Sequence, residues 1–276
     1  MLLRTIAALS SVFAVVLYFC LDAAIWLIPV LFAGFFLALL LLAFLILWVL
    51  SAVVDTSVPQ EHDSKFYRRA VMWYIEALIP LVGLKIETAG LEKMPDAKRI
   101  MLVCNHQNEG DPGMLMHYFK RYELSFVAKK EVRDMFIMGK MMHKLLCQPI
   151  DRENDREALK SILKCIQLLK TDEVSIGAFP EGGIFDKDKL HPFRSGVFKI
   201  AQKARVPIVV CTLKGTSDLF HNMKRLKKTT VQLHLVDVIP AEEVAAANTV
   251  ELGERIYRLM LNDLGPEYAP ENKNNT

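Results

Sequence analysis

The sequence lacks the cysteine patterns of metal-binding and disulfide-stabilised proteins. Its five cysteines are an odd number and widely spaced, with no C-x-x-C pair and no cluster with histidine at the spacing of zinc ligands. We therefore predict no metal site and no disulfide framework. The cysteines are predicted to be reduced structural thiols of a cytoplasmic domain. They are Cys20, Cys104, Cys147, Cys165 and Cys211.

The sequence also has little net charge. The balance is only +3, and no basic run with interleaved aromatic residues occurs, so we expect no nucleic-acid partner. Between residues 5 and 54 the only charged side chain is Asp22. The apolar residues, 52% of the chain, are concentrated in this N-terminal region, which indicates a membrane segment.

Asp22 divides this region into two apolar runs, 5–21 and 23–54. As helices they reach about 25 Å and over about 40 Å, against a hydrocarbon core of about 30 Å. Residues 1–60 are therefore predicted to form a two-helix membrane hairpin, with Asp22 at the turn and Pro29 beginning or kinking the second helix. The pattern is compatible with two full spans and with a hairpin that dips into one leaflet.

Positive charges flank the hairpin on both sides. Arg4 precedes the first run, and Lys65, Arg68 and Arg69 follow the second, which predicts that both ends lie in the cytoplasm. A cleaved signal peptide is disfavoured because no small-x-small site ends the first run.

Residues 61–84 are predicted to form an amphipathic helix at the membrane interface. The stretch 64–82 combines aromatic and basic residues in a helical pattern, and Pro80 and Gly83 end it. The alternative is a helix packed on the globular domain.

From residue 85 onward, short β-type runs alternate with helical patterns. This predicts an α/β domain over 85–267 with a mixed, largely parallel sheet flanked by helices, followed by a disordered tail at 268–276. The predicted strands are 85–88, 100–104, 123–128, 174–179, 207–213 and 230–237, and the predicted helices lie near 112–121, 134–146, 155–170 and 196–204. His106, Glu181 and Gly215 each follow a strand, so we expect them at one rim of the sheet.

The stretch 105–111, NHQNEGD, places a histidine at a strand end and a carboxylate five residues later. His106 and Asp111 in this arrangement can act as a general base and the acid that orients it. Asp111 before Pro112 is also the pattern of a helix N-cap, and both roles are compatible. Asn105 is predicted to satisfy the turn or to help position the histidine and substrate.

Three more motifs follow: QPIDREN at 148–154, FPEGG at 179–183 and RVPIVV at 205–210. With the first motif, their order and spacing resemble those of the glycerolipid acyltransferase family, whose bacterial type member is 1-acylglycerol-3-phosphate acyltransferase. The resemblance covers roughly residues 85–240.

This resemblance implies a membrane-bound O-acyltransferase of phospholipid biosynthesis. The acyl group would pass from acyl-CoA or acyl-carrier protein, as co-substrate, to lysophosphatidate, with His106 as general base, Asp111 orienting it, and no cofactor. Alternatives are a remodelling acyltransferase for another head group, a lipid or thioester hydrolase, and a non-catalytic lipid-binding protein.

The resemblance also implies ligands for the acceptor phosphate. Lys129, after a strand, and Arg152, before a helix, are the predicted cations, since both residue types bind phosphate and arginine does so bidentately.

The third motif departs from the family pattern. Glu181 is predicted to bind substrate, and Gly182 and Gly183 permit close backbone approach. The family motif reads E-G-T-R, whereas this chain has Gly183 and Ile184 in the last two positions. Arg194 is predicted to replace the missing charge.

Overall fold

The computed structural model describes residues 2–20, 24–151, 153–186 and 188–270. Two N-terminal helices, α1 (Leu2–Cys20) and α2 (Leu27–Ala52), pack against each other, and both are long and apolar enough to cross a membrane. Pro29 lies in the first turn of α2, where its missing N–H costs no helical hydrogen bond. Asp22, the predicted turn residue, lies outside the described residues.

In the described part of the chain, seven strands form one sheet with helices on both faces. The strands are β1 (Leu84–Ala89), β2 (Met101–Cys104), β3 (Leu124–Lys129), β4 (Gln148–Ile150), β5 (Ser175–Ala178), β6 (Ile208–Lys214) and β7 (Thr229–Ile239). The helices are α3 (Lys65–Leu81), α4 (Asp111–Tyr118), α5 (Phe136–Lys144), α6 (Asp155–Lys170), α7 (Lys199–Ala204), α8 (Leu219–Lys224), α9 (Ala241–Ala246) and α10 (Thr249–Leu264).

The strand order is β1-β7-β6-β2-β5-β3-β4. All neighbouring strands are parallel except β6 and β7, which pair antiparallel. The predicted mixed, largely parallel sheet is therefore confirmed. All four residues of β2 are buried, as expected for a central parallel strand covered on both faces.

Helix α3 begins at its N-cap Ser64, whose hydroxyl accepts from the Tyr67 N–H. One face, with Val71 and Ile75, packs on the apolar core beneath α4, while Phe66 and Trp73 are exposed on the other. The two sequence interpretations of this segment thus describe opposite faces of one helix. Its placement at a membrane interface stays a prediction.

Arg68 of α3 is buried and paired with Asp63 at 2.7 Å. Its guanidinium also donates to the Leu124 carbonyl at 2.9 Å. This charge therefore holds α3 to the start of β3. The argument for a cytoplasmic orientation consequently depends on Arg4, Lys65 and Arg69.

Candidate active site

His106 follows the central strand β2, which lies between β5 and β6. Because these three strands are parallel, their carboxyl ends meet at one rim, as the sequence predicts. The His106 backbone N–H donates to Glu181 Oε1 at 2.8 Å, which joins the loops after β2 and β5. The histidine side chain is 17% exposed, so it is accessible but largely enclosed.

Asp111 orients the histidine. Its Oδ2 lies 3.0 Å from His106 Nδ1 and also accepts the backbone N–H groups of Gln107 and Asn108 at 2.8 Å each. The carboxylate is fully buried. Holding Nδ1 in this way leaves Nε2 as the ring nitrogen that can take up a proton.

Asp111 is the first residue of α4, and Gly110 occupies the N-cap position. The Asp111 side chain reaches back to the loop before the helix. The predicted N-cap role is therefore replaced by a related one, in which the carboxylate satisfies the two N–H groups of the histidine loop.

The His106 ring is part of an aromatic stack. It lies 4.0 Å from the Phe179 ring at an interplanar angle of 15°, and Phe179 lies 5.6 Å from Phe126 at 14°. Gly177 of β5 lies beneath this stack, where an added Cβ would come within 2.4 Å of the Phe126 ring. The stack thus fixes the plane of the imidazole and requires glycine at position 177.

Asn105 is in the core, only 2% exposed. Its Nδ2 donates to the Leu213 carbonyl at 2.8 Å, and its Oδ1 accepts the Leu213 N–H at 2.7 Å. Both polar ends of the amide are used to join β2 to β6. Asn105 therefore positions the histidine loop, and its side chain has no free face for the predicted substrate contact.

Glu181 has a similar structural role. Its two carboxylate oxygens accept the backbone N–H groups of His106 and His191, at 2.8 and 2.9 Å. Burial raises the pKa of Glu181 to about 7, against the opposing effect of these two hydrogen bonds, and the nearby Asp111 raises it further. Glu181 as a residue is only 4% exposed, so its carboxylate joins three segments around the site rather than presenting a free oxygen to substrate.

Gly182 and Gly183 continue this turn. Gly182 has a φ of +83°, a left-handed conformation that favours glycine, and its N–H donates to the Phe179 carbonyl at 3.0 Å. That N–H is therefore occupied by a hydrogen bond within the turn. Gly183, half-buried, is followed by Ile184.

The predicted phosphate ligands lie in different places. Lys129, at the end of β3, is exposed and 3.3 Å from Glu131. Arg194 is exposed, and its backbone N–H donates to the Pro180 carbonyl at 2.9 Å, which places it beside the third motif. Arg152 lies outside the described residues. The roles of these cations as ligands of phosphate stay predictions.

The family model described as Acyltransferase matches residues 85–214. The 1-acyl-sn-glycerol-3-phosphate acyltransferase of Bacillus subtilis is 31% identical over 173 residues, which are 61% of this chain and 84% of that protein. The chain belongs to the acyltransferase family.

Two further proteins are similar to this chain, one in sequence and one in fold. A probable 1-acyl-sn-glycerol-3-phosphate acyltransferase of Mycoplasma pneumoniae is 29% identical over 201 residues, 70% of this chain and 74% of that protein. The crystal structure of the 1-acyl-sn-glycerophosphate acyltransferase from Thermotoga maritima has a TM-score of 0.60, covering 98% of this chain and 100% of that chain at 18% identity. The latter shows a shared fold.

Several residues of the acyltransferase site gave only weak signals in the sequence. Phe179 belongs to the third motif, but no pattern indicated that its ring stacks on His106. Gly177 is a glycine inside a predicted strand, which is itself a signal of close approach by another group. His191 contributes only a backbone N–H, which residue type cannot reveal.

Glu181→Gln is expected to flatten the dependence of folding stability on pH. The folded-state pKa of about 7 is above the ordinary value of 4.5, so Glu181 binds a proton more tightly when folded. This tighter proton binding stabilises the folded state. The stabilisation is fully present below about pH 4.5 and is lost as the pH rises through 7, which lowers the free energy of unfolding by about 3 kcal/mol. Urea unfolding of the detergent-solubilised wild type and variant at pH 5 and pH 8 measures this difference in the free energy of unfolding.

The matched control is Glu254→Gln, which alters an exposed carboxylate on α10. This control should keep the wild-type difference between the two pH values. An unchanged difference in the Glu181 variant would show that the buried carboxyl group does not titrate in this range.

Proposed function

We propose that this acyltransferase transfers a fatty acyl chain from acyl-CoA or acyl-carrier protein to the free hydroxyl of 1-acyl-sn-glycerol-3-phosphate, with His106 as general base. The acyl donor is a co-substrate, and the proposal includes no cofactor or metal. The carboxylate Asp111 orients the base and stabilises its protonated form.

The observation that carries this proposal is the geometry of the His106–Asp111 pair. A buried carboxylate 3.0 Å from Nδ1 leaves Nε2 as the nitrogen for proton transfer, and the side chain remains partly exposed at the rim. In the reaction, Nε2 takes the hydroxyl proton while the oxygen attacks the thioester carbonyl. The C–S bond then breaks, and the departing sulfur receives that proton from the imidazolium.

The structure favours direct transfer over an acyl-enzyme. The nearest cysteine in sequence, Cys104, is fully buried, and burial raises the pKa of its thiol well above the ordinary value. A buried neutral thiol is a poor nucleophile. The histidine is therefore assigned to activate the acceptor hydroxyl itself.

The relatives' names support a lysophosphatidate acceptor. Arg194 supports it too, because this exposed cation is held beside the third motif by the Pro180 carbonyl. A remodelling acyltransferase for another head group is the second candidate, favoured by Gly183 and Ile184 where the family motif has threonine and arginine.

The two apolar N-terminal helices support membrane association, so the lipid acceptor can remain in its leaflet. The catalytic domain is proposed to lie on the cytoplasmic face, where acyl thioesters are found. Arg4, Lys65 and Arg69 flank the hairpin in agreement with this orientation.

An acyl-transfer assay of the purified full-length protein in detergent tests the proposal. Labelled palmitoyl-CoA is supplied with lysophosphatidate or with lysophospholipids of other head groups, and the lipid products are separated. We expect labelled phosphatidate as the main product. Free fatty acid without a diacyl product would instead indicate hydrolysis, and preference for another head group would indicate remodelling.

A further inference from the structure

A cleft of about 300 Å³ lies at the β4 edge of the sheet, away from His106. Its walls are the linker after α2, the ends of β3 and β4, and helices α5 and α6. Two contacts fix the linker to α5: His143 Nε2 donates to the Val58 carbonyl at 3.1 Å, and Lys144 Nζ donates to Gln60 Oε1 at 3.0 Å. The volume suits part of a small ligand rather than a whole nucleotide.

Three cations line the cleft: Lys129, Arg133 and Lys164. No carboxylate lies among the described lining residues, and Glu131 contacts Lys129 from outside them. Within the described part of the chain, neither Arg133 nor Lys164 forms an ion pair. Because Arg133 and Lys164 have no paired carboxylate among the described residues, they create a positive potential that favours an anionic ligand.

The backbone places Arg133 at this cleft through a tight packing contact. Gly139 of α5 is buried, and an added Cβ would lie 2.0 Å from the Arg133 carbonyl oxygen. Any larger residue would separate α5 from the turn that contains Arg133. This contact fixes the backbone of the turn that contains Arg133 against α5.

The distance of the cleft from His106 favours the acyl donor over the lipid acceptor as its ligand. β4 is three strands from β2, which is about 14 Å at the usual strand spacing. The phosphate of a lysophosphatidate is only a few bonds from its attacking hydroxyl. It therefore cannot reach this edge of the sheet while the hydroxyl lies at His106. The pantetheine arm of an acyl donor separates thioester from phosphate by about thirteen bonds, or ~15 Å at the extension of a peptide chain.

We propose that this cleft binds the phosphate of the donor's phosphopantetheine arm through Arg133 and Lys164. The proposal rests on the acyl-transfer function proposed above. Acyl-CoA and acyl-carrier protein share this phosphate, so the site accepts either donor. Lys129 also lines the cleft but is paired with Glu131, so it is left unchanged in the test.

The test compares the full-length wild-type protein with an Arg133→Gln/Lys164→Gln double variant. We expect the KM for palmitoyl-CoA to rise tenfold or more, because two charge-assisted contacts to phosphate are lost. Palmitoyl-pantetheine, which has no phosphate, should be used equally well by both proteins. The KM for the lysophospholipid should stay the same.

The matched control is Lys203→Gln/Arg258→Gln, which removes one lysine and one arginine that are exposed elsewhere. It should leave the KM for palmitoyl-CoA unchanged. An equal loss with palmitoyl-pantetheine, an unchanged KM for palmitoyl-CoA, or a raised KM for the lysophospholipid would each overturn the proposal. The last result would assign the cleft to the lipid head group.

Direct binding separates this inference from the proposed function. Equilibrium dialysis of labelled CoA against the detergent-solubilised protein requires no turnover. We expect weaker CoA binding by the double variant than by the wild type and the control, whether or not transfer is detected. Equal binding by all three proteins would overturn the proposed site. If CoA binds as expected but the wild type forms no diacyl product, only the proposed function fails.

Discussion

Replacing His106 with alanine is expected to lower the rate of acyl transfer by about 10²- to 10⁴-fold, the range contributed by a general base. In the proposed mechanism the imidazole accepts the hydroxyl proton as the C–O bond forms, and the variant lacks that group. The Asp111 carboxylate remains bound to the N–H groups of Gln107 and Asn108, so the loop should keep its conformation. Initial rates of diacyl product formation at saturating donor and acceptor measure the effect.

The matched control is His221→Ala, which removes an exposed histidine on α8. The control should retain wild-type activity, and both variants should unfold cooperatively, although the His106 variant loses its ring stacking on Phe179 and its hydrogen bond to Asp111. Transfer by the His106 variant within tenfold of wild type would rule out the histidine as the essential base.

The arrangement of the catalytic rim was predictable because parallel strands bring their carboxyl ends together. Six apolar runs separated by helical patterns predicted six of the seven strands, and all six are confirmed within two residues at each end. Because His106 and Glu181 each follow a predicted strand, the sequence predicted one rim for both. The structure shows that these two strands, β2 and β5, are adjacent. The residue types alone indicated which of these loops contains the base.

Strand β4 and the helices α8, α9 and α10 are not among the predicted elements. β4 has only three residues and depends on pairing with β3, so no local pattern identifies it. Helix α10, in contrast to β4, does have a recognisable sequence pattern. It begins at Asn248, whose side chain caps the Val250 N–H, and it buries Leu252, Ile256 and Met260 at helical spacing. That pattern was present in the sequence.

The roles of Asn105 and Glu181 depended on contacts that the sequence does not show. The amide of Asn105 binds the backbone of Leu213, and the Glu181 carboxylate binds the backbone of His106, across long stretches of chain. Both partners are main-chain groups, which every residue type provides. Both residues were predicted to bind substrate, whereas in the structure their side chains bind the backbone of the loops around His106.

The N-terminal anchor also contacts the catalytic domain, which no sequence pattern indicated. Helix α2 packs against α5, where the ring of Trp48 lies 5.7 Å from that of Phe136. Tyr74 of α3 donates to the Ala43 carbonyl of α2 at 2.7 Å. These contacts hold α2 and α3 against the rest of the domain, and the proposed donor cleft lies next to the linker that follows α2.

Asp111→Asn is expected to lower kcat by 10² or more with little change in folding stability. A single oxygen, Oδ2, accepts all three hydrogen bonds, whereas Oδ1 is buried without a partner among the described residues. An asparagine can therefore keep its carbonyl oxygen in the Oδ2 position and its NH₂ group in the other. What the variant loses is the negative charge that stabilises the imidazolium during transfer.

Asp111→Ala provides the contrast. It removes the charge and the acceptor together, leaving two buried N–H groups without partners at a cost of about 1–3 kcal/mol each, so both kcat and the free energy of unfolding should fall. Asp263→Asn is the matched control, because Asp263 is likewise paired with a histidine, His234 of β7. It should leave kcat unchanged. If Asp111→Asn retained wild-type kcat, the carboxylate would serve only to fold the histidine loop, because the imidazolium would then need no counter-charge.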